Sequence, residues 1–367
     1  MTRAALALGL AALGLAACSK PRPPISDCVP TADARPICTF HDPEDFALLP
    51  QAHALVVSQM GGGDGSKPGS LVFFALESES LTPAYPLPGA ANEAPHAGWG
   101  DPKCPGAPGA ALSPHGLDLA TRPDGALELL VVNHGGRESV ELFEVSDALP
   151  PALAWRGCVL APDDAFLNDV AALPDGGFVT THFLSRAHPL RSSLLGLLRL
   201  STGEILEWHA DSGIQPIPGT SAPGPNGIAV SKDGETLYLD AYFADEVRKI
   251  SRRTGQTLEK ADIASPDNLN WTAEGKLLVA SHNAPLNEIL ACATLEHGQC
   301  PFHFSIVLLD PARLSDPHTI YENVGPPMGA GTSALLIDGE LYVGSFAGDR
   351  LLRVTLADWA LRLVASP

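Results

Sequence analysis

The 367-residue sequence predicts an all-β fold on three observations. Gly (35) and Pro (34) are abundant and only 18% of the residues are charged, a composition typical of many turns and few solvated helices. One hairpin pattern recurs along the chain: a polar residue, a short apolar run, an Asp-Gly or Glu-Gly turn and a second apolar run. Its turn glycines, at positions 125, 176, 234, 275 and 339, lie 41 to 64 residues apart, the scale of a four-stranded blade with loop insertions. The pattern therefore predicts a six-bladed β-propeller.

The first of the six hairpins has Pro50-Gln51 at its turn in place of Asp-Gly. A β-sandwich with irregular loops is the alternative fold, but it does not predict six similar hairpins. The six units span residues 44–58, 115–134, 168–182, 226–240, 268–282 and 333–345.

The N-terminus is interpreted as a targeting segment rather than as part of the fold. Residues 1–17 have one Arg and an apolar run that is too short for a membrane span, and they precede Cys18 in the pattern of a bacterial lipoprotein signal. An ordinary secretory signal with an incidental Cys18 is the alternative. Residues 18–27 are Pro-rich and are expected to form a tether, and residues 28–367 to form the propeller. We therefore expect an exported protein anchored to a membrane through acylated Cys18.

Charge and cysteine content restrict the partners and the compartment. The formal charge of −19 argues against a nucleic-acid partner and suits a protein that holds cations. Six cysteines remain after Cys18, an even number that predicts disulfides in an oxidising compartment. Of the 15 possible pairings, short loops favour Cys28–Cys38 and Cys292–Cys300, which leaves Cys104–Cys158.

Polar residues begin the first strand of each predicted hairpin. In a propeller these strands line the central channel, so their first residues meet at one mouth. The second strands are expected to end near the same mouth, which brings His115 and His134 together although they lie at opposite ends of one hairpin. The strand starts are Glu44, His115, Asn168, Asn226, Asp267 with Asn268, and Ser333, and the strand ends are Ser58, His134, His182, Asp240, His282 and Ser345.

This collection of side chains predicts a calcium site. Carboxylate and carboxamide oxygens are the ligands that Ca²⁺ takes, in sets of about six to eight. Zinc prefers His and Cys in a tetrahedral set. Because four of the residues are histidines, a His-bound transition metal is the alternative.

Several motifs, taken in order, resemble the serum paraoxonase and arylesterase family. They are PEDFALLP, PHGLDLA, LLVVNHGG, SVELFEV, NDVAALPDGGFVTTH, PNGIAVSKDGETLYLDAY and PDNLNW, and the resemblance runs from about Asp42 to Asn283. It implies a six-bladed propeller with two calcium ions in the channel that hydrolyses small-molecule lactones and aryl esters.

The resemblance also implies roles for individual residues. His115 and His134 match a histidine dyad in which His115 is nearer the substrate. His282 matches a histidine of the substrate wall, and His182 is assigned to the same wall. Glu44, Asn168, Asn226, Asp267 and Asn268 match ligands of the catalytic calcium, and Asp45, Asp169 and the main-chain carbonyl of Leu117 match ligands of the structural calcium.

Two other functions are compatible with the hairpins. A gluconolactonase- or regucalcin-type sugar lactonase would use a similar Glu, Asn, Asn and Asp set on one ion, but without the pair His115 and His134. A non-enzymatic lipoprotein propeller would keep the hairpins without needing convergent polar residues. The chain also departs from the serum members at its N-terminus, where a lipoprotein signal stands in place of their amphipathic segment.

Overall fold

A computed structural model describes residues 20–62, 65–87, 94–295 and 297–366 of the chain. The predicted signal segment and Cys18 lie outside these residues. The described residues form six four-stranded antiparallel sheets, and the inner strands of neighbouring sheets contact each other in a closed ring. This confirms the six-bladed propeller.

Blades 1 to 3 each consist of four consecutive strands. Blade 1 is β2 (Pro43–Leu49), β3 (Ala54–Gln59), β4 (Ser70–Ala75) and β5 (Leu81–Tyr85). Blade 2 is β6 (Pro114–Thr121), β7 (Leu127–Asn133), β8 (Ser139–Ser146) and β9 (Ala152–Leu160). Blade 3 is β10 (Ala165–Ala172), β11 (Phe178–Ser185), β12 (Ile205–His209) and β13 (Gly213–Pro216).

Blades 4 and 5 repeat this order, and blade 6 takes its outer strand from the N-terminus. Blade 4 is β14 (Pro225–Val230), β15 (Thr236–Ala241), β16 (Glu246–Ser251) and β17 (Thr257–Asp262). Blade 5 is β18 (Pro266–Trp271), β19 (Leu277–His282), β20 (Phe304–Asp310) and β21 (Arg313–Asn323). Blade 6 is β22 (Gly331–Ile337), β23 (Glu340–Ser345), β24 (Leu351–Thr355) and β1 (Ala34–Ile37).

Within the described residues, three α-helices lie outside the blades. The helices are α1 (Pro189–Leu197), α2 (Leu286–Cys292) and α3 (Asp358–Val364), and short 3₁₀ turns occur at Gly109–Ala111 and Tyr242–Ala244. Helices α1 and α2 follow the second strands of blades 3 and 5, so they lie towards the predicted channel mouth. No helix within the described part of the chain has the length and apolar character needed to span a bilayer.

The hydrophobic core consists of layers between neighbouring blades. In β3, Ala54 and Val56 pack towards blade 2, whereas Leu55 and Val57 pack towards blade 6. Alternate residues of a strand point to opposite faces of its sheet. A blade strand is therefore apolar on both faces, which explains the near-continuous apolar runs of the repeated hairpins.

The turn glycines of the hairpins adopt the backbone conformation that their sequence predicts. Gly125, Gly176, Gly234, Gly275 and Gly339 all have φ between 76° and 95°. Non-Gly residues rarely adopt this region, so Gly at these positions permits the tight connection between the first and second strands.

The ends of the chain are joined where the ring closes. Ala34 in β1 pairs with Val354 in β24, and the Cys28–Cys38 disulfide brackets β1. The other disulfides join Cys104 to Cys158 and Cys292 to Cys300, so the six cysteines pair as expected.

The described part of the Pro-rich segment lies against the propeller. Ile25 is buried and forms a two-way backbone bridge with Gln299, and Arg22 forms an ion pair with Glu288 in α2. The fully buried guanidinium of Arg350 donates to the carbonyls of Ile25, Asp27 and Pro327. Residues from Arg22 onward are thus fixed to blades 5 and 6, although the composition alone predicts a tether.

Candidate active site

Each inner strand loses its regular pairing with the second strand at its first residues. Such a β-bulge changes the direction of side chains and carbonyls, here towards the channel. The predicted mouth residues lie within these irregular stretches. The breaks fall between Pro43 and Asp45, Pro114 and Leu117, Leu167 and Val170, Pro225 and Ile228, Pro266 and Leu269, and Gly331 and Ala334.

Unpaired oxygens are concentrated in this region. The side chains concerned are at most 6% exposed, and a buried polar atom without a partner is costly. The atoms without a hydrogen bond include Glu44 Oε2, Ser58 Oγ, Asn168 Oδ1, Asn226 Oδ1, Asn268 Oδ1 and both carboxylate oxygens of Asp240.

Contacts between the side chains show that several of these residues are neighbours. Asn268 donates to Glu44 at 2.6 Å, and Asn226 donates to Asp267 at 2.6 Å. Nε2 of His115 lies 3.6 Å from Glu44 Oε1. Glu44, His115, Asn226, Asp267 and Asn268 thus come together from four blades as the sequence predicts.

The donor set fits a hard divalent cation. Among the described residues, no three His, Cys, Asp or Glu side chains are placed to hold an ion by themselves. Carboxamide oxygens would have to complete the shell, and three of the unpaired oxygens belong to Asn168, Asn226 and Asn268. Calcium accepts such mixed oxygen shells, whereas zinc selects nitrogen and sulfur.

Asp45 and Asp169 lie deeper in the channel and connect neighbouring blades. Asp45 accepts hydrogen bonds from the Leu117 amide at 2.9 Å and from the Ser333 hydroxyl at 2.6 Å. Asp169 accepts from the Ile228 amide at 2.8 Å. Each carboxylate therefore holds the inner strand of the next blade, and a cation between them would act in addition to these hydrogen bonds.

Burial strongly perturbs the channel carboxyls. It raises the pKa of Asp45 to about 6 and of Asp267 to about 7. Burial, together with the nearby charges of Asp45, Asp267 and Asp169, holds the pKa of Glu44 well above its usual range. The pKa values of Asp169 and Asp240 are also raised well above usual, by burial and by neighbouring carboxylates. A bound cation would remove this repulsion.

Gly116 allows the inner strands of blades 2 and 3 to approach each other. A Cβ at this position would lie 2.4 Å from Asp169 Oδ1 and 2.7 Å from the Asn168 carbonyl oxygen. Any side chain would therefore push apart the strands that carry His115 and Asn168. The residue after His115 must therefore be glycine for the two strands to approach this closely.

His115 and His134 contact each other directly. Nδ1 of His115 lies 2.7 Å from Nε2 of His134, and both residues are buried. Phe166 stacks on the His134 ring with a centroid distance of 4.2 Å and an interplanar angle of 6°. Burial, and secondarily the proximity of His134, holds the pKa of His115 well below its usual value. His115 is therefore a neutral base at physiological pH.

Glu138 and Asp240 are two buried acidic residues to which the sequence reasoning assigns no role. Oε1 of Glu138 lies 2.9 Å from Nδ1 of His134, so three side chains are connected in a row. The sequence feature that could have indicated Glu138 is its position, four residues after His134 in the β7–β8 turn. Asp240 was recognisable as the polar end of its strand, equivalent to His134 in blade 2.

His282 and His182 occupy different surroundings, although both end a second strand. His282 is buried, with Nε2 3.3 Å from Asp267 Oδ2 and Nδ1 3.1 Å from the Tyr242 hydroxyl. Burial lowers its pKa to about 4. His182 is partly exposed, and its ring lies beside Glu204 and the Leu184 carbonyl of its own blade. His282 therefore adjoins the carboxylate cluster, whereas the contacts of His182 are with blade 3.

Together, the fold and this channel define a class: six-bladed propellers whose inner strands bring carboxylates, carboxamides and histidines to one mouth. The sequence model of the Arylesterase family matches residues 103–348, about two thirds of the chain. The chain belongs to this family. The match confirms the resemblance seen in the motifs and extends beyond Asn283, where the motif resemblance fades.

Curated relatives agree with this assignment at low identity. Serum paraoxonase/arylesterase 1 of Mus musculus is 25% identical over 246 residues, covering 64% of this chain and 66% of that protein. Serum paraoxonase/arylesterase 2 of Homo sapiens is 22% identical over 256 residues, covering 64% of this chain and 67% of that protein. The aligned region thus spans about two thirds of these relatives.

Solved structures share the fold. A gluconolactonase from Xanthomonas campestris superimposes with a TM-score of 0.52 at 16% identity, covering 93% of this chain and 99% of that one. A luciferin-regenerating enzyme gives a TM-score of 0.52 at 14% identity, covering 87% and 95%. At such identities the likeness concerns the propeller architecture.

Proposed function

We propose that this protein is a calcium-dependent hydrolase of lactones and aryl esters. The observation that carries the proposal is the buried group of unpaired oxygens beside a neutral histidine at the channel mouth. Membership of the Arylesterase family supports the same class of reaction. A binding scaffold would have no need to bury unsatisfied oxygens next to a histidine pair.

Two sets of residues would hold two calcium ions. Calcium bound by the mouth set would polarise the ester carbonyl and stabilise the negative charge that develops on its oxygen. Asp45, Asp169 and the Leu117 carbonyl would hold the second ion, where it offsets the repulsion between two buried carboxylates. The mouth set is Glu44, Asn168, Asn226, Asp267 and Asn268.

His115 would act as the general base. Its Nε2 faces Glu44 at 3.6 Å, so it is directed at the oxygen cluster where substrate and water would meet. The neutral ring can accept a proton from water, and His134 at 2.7 Å can share the positive charge that results. General-base catalysis of this kind typically contributes about 10²- to 10⁴-fold in rate.

The proposed reaction is tested by turnover of phenyl acetate and of a γ- or δ-lactone by purified protein, with EDTA and after calcium is restored. We expect activity that EDTA abolishes and that calcium recovers. A His115→Gln preparation made in parallel reports any contaminating esterase. Activity that is indifferent to EDTA would contradict the calcium mechanism, and absence of turnover would favour a scaffold.

A sugar lactone in the same assay distinguishes the proposed arylesterase-type activity from the gluconolactonase alternative. Hydrolysis of glucono-δ-lactone without hydrolysis of phenyl acetate would favour a sugar lactonase. The buried pair His115 and His134 favours the arylesterase type instead, because that pair is a feature of the family resemblance.

We further propose that the protein is exported and anchored to a membrane through acylated Cys18. The three disulfides support an oxidising compartment. Cys18→Ser should move the protein from the detergent phase to the aqueous phase while its catalytic constants stay the same, because the propeller begins further along the chain. Partitioning of both forms into water would contradict lipidation.

A further inference from the structure

Glu138 has three contacts that are unusual for a buried carboxylate in a hairpin turn. Its Oε1 lies 2.9 Å from His134 Nδ1 and accepts a hydrogen bond from the Leu167 amide at 2.6 Å. Its Oε2 is buried without a hydrogen bond, and the Nε of Arg186 lies 3.7 Å away. The side chain is 3% exposed. Glu138 therefore joins the β7–β8 turn, the inner strand of blade 3 and a surface arginine.

The Leu167 amide fixes the role of Oε1. A backbone amide can only donate, and a carboxylate can only accept. Oε1 is thus the acceptor for two donors, the Leu167 N–H and the Nδ1–H of His134. Nδ1 of His134 consequently carries a proton, and in the singly protonated ring Nε2 carries a lone pair.

The same logic continues to His115. Since Nε2 of His134 is an acceptor, the 2.7 Å contact requires the neutral His115 ring to donate from Nδ1. Nε2 of His115 then carries its lone pair towards the channel mouth, where Glu44 lies at 3.6 Å. With the opposite tautomer of His134, His115 would carry its proton on Nε2 and could not act as a base there.

We infer that Glu138 is a positioning residue, which fixes the tautomers of His134 and His115 so that the basic nitrogen of His115 faces the substrate. The inference rests on the proposed hydrolytic function. Glu138 does not reach the channel mouth itself and acts through His134. The stacked Phe166 holds the plane of the His134 ring, and Glu138 determines which of its nitrogens carries the proton.

The tautomer can be measured without substrate. In ¹⁵N-histidine-labelled protein, two-bond ¹H–¹⁵N spectra distinguish protonated from unprotonated ring nitrogens, and a His134→Gln sample assigns the signals. We expect His134 of the unaltered protein to carry its proton on Nδ1. A proton on Nε2 would overturn the inference without the need for any Glu138 variant.

Two substitutions then connect the tautomer to turnover. Glu138→Met removes the acceptor at similar size, and we expect loss of the Nδ1–H state with a fall in kcat on the order of tenfold or more and little change in KM. Glu138→Gln keeps an oxygen that the Leu167 N–H can hold in place, so both the tautomer and kcat should be largely retained. Turnover that does not follow the tautomer across the two variants would overturn the inference.

A matched control removes another buried carboxylate of the same blade. Glu128 lies at the opposite end of β7 and pairs with Arg122. Glu128→Met should leave the His134 tautomer and kcat unchanged, and a change equal to that of Glu138→Met would count against a specific role. If the unaltered protein hydrolyses no ester or lactone while the Nδ1–H state is observed, the proposed function fails and the tautomer assignment stands.

Discussion

Both ring nitrogens of His115 face other residues of the candidate site. One ring nitrogen contacts His134 at 2.7 Å and the other faces Glu44 at 3.6 Å. The predicted contribution of His115 is therefore to proton transfer and not to the binding of a cation.

His115→Gln should reduce ester and lactone turnover by about 10²- to 10⁴-fold while bound calcium stays unchanged, because the general base is lost and the oxygen ligands remain. Steady-state rates and elemental analysis of the same samples test this. His53→Gln, at an exposed hairpin turn beside Asp338, is the control. Full turnover by the His115 variant would remove this residue from the mechanism.

Substitutions of the two oxygen sets should separate stability from activity. Asp45→Ala and Asp169→Ala should lower the melting temperature markedly and make it less responsive to added calcium, because these carboxylates lie deep and also hold the neighbouring blade. Asn168→Ala and Asn226→Ala should reduce turnover with a smaller change in stability. Melting curves against calcium concentration, paired with esterase rates, provide the test.

Asp45→Asn serves as the control for the hydrogen bonds alone, since it keeps an acceptor for the Leu117 amide and removes the charge. Its melting temperature should still respond less to calcium than that of the unaltered protein. If all four alanine variants lost stability and activity in the same proportion, a single shared ion would describe the channel better than two.

At the level of secondary-structure elements, local signals account for what the sequence could predict. The Asp-Gly turns and the apolar runs on either side of them are contained in about fifteen residues, and each predicts an inner hairpin correctly. The pairing of β1 with β24 has no comparable signal, because the paired residues Ala34 and Val354 are 320 positions apart. The structure alone shows that the N-terminus closes the ring.

In the candidate site, too, the sequence predicts what a local pattern encodes and misses what depends on strand pairing. Alignment of the hairpins predicts that Glu44, His115, Asn226 and Asp267 meet, because equivalent strand ends of a propeller converge. It does not predict the bulges that redirect these residues, since a bulge depends on how the two strands pair. Glu138 was also missed because it lies in a turn outside the aligned pattern.

Substitution of Arg350 tests how much the contacts of the N-terminal segment stabilise the closed ring. The guanidinium is fully buried and donates to three main-chain carbonyls from two chain segments. Arg350→Met should lower the free energy of unfolding by at least about 1–3 kcal/mol, the cost of leaving buried acceptors unsatisfied. Urea unfolding measures it.

Arg353→Met, in the strand β24 that follows Arg350 directly, is the matched control. Arg353 is partly exposed and pairs with Glu79 and Glu340, so its loss should cost less than about 1 kcal/mol. If both variants lost the same free energy of unfolding, the buried hydrogen bonds of Arg350 would not specifically stabilise the closed ring.

At the scale of the whole molecule, the channel should make stability depend on pH in a direction set by calcium. Burial raises the pKa of Asp45 to about 6 and of Asp267 to about 7, whereas carboxyls in an unfolded chain titrate near 4. Between about pH 4 and pH 7 the metal-free native state binds more protons than the unfolded state. The free energy of unfolding should therefore fall as the pH rises through this range.

Buried histidines change the free energy of unfolding with pH in the opposite direction. The pKa of His282 is lowered to about 4, so the unfolded chain takes up its proton between about pH 6.5 and pH 4 and native stability falls on acidification. The carboxyls with raised pKa outnumber the histidines with lowered pKa in the channel, so their effect should dominate. The carboxyls are Glu44, Asp45, Asp118, Asp169, Asp240 and Asp267, and the histidines are His115 and His282.

Urea unfolding at several pH values, with EDTA and with millimolar calcium, tests this balance. Calcium should raise stability most near pH 7 and flatten the pH dependence, because it favours the charged carboxylates. Stability that rises with pH in EDTA to the same extent as in calcium would contradict the proposed ion sites.

The pairing of β1 with β24 also affects how the chain can fold as it is synthesised. A ribosome releases Ala34 long before Val354, so a nascent chain that contains β23 but not yet β24 has unpaired edges on β1 and on β23. Such a high contact order delays closure until the last blade is complete. The ring can therefore close only in a chain that extends through β24: a chain that ends before Leu351 would lose the circular closure as well as one strand.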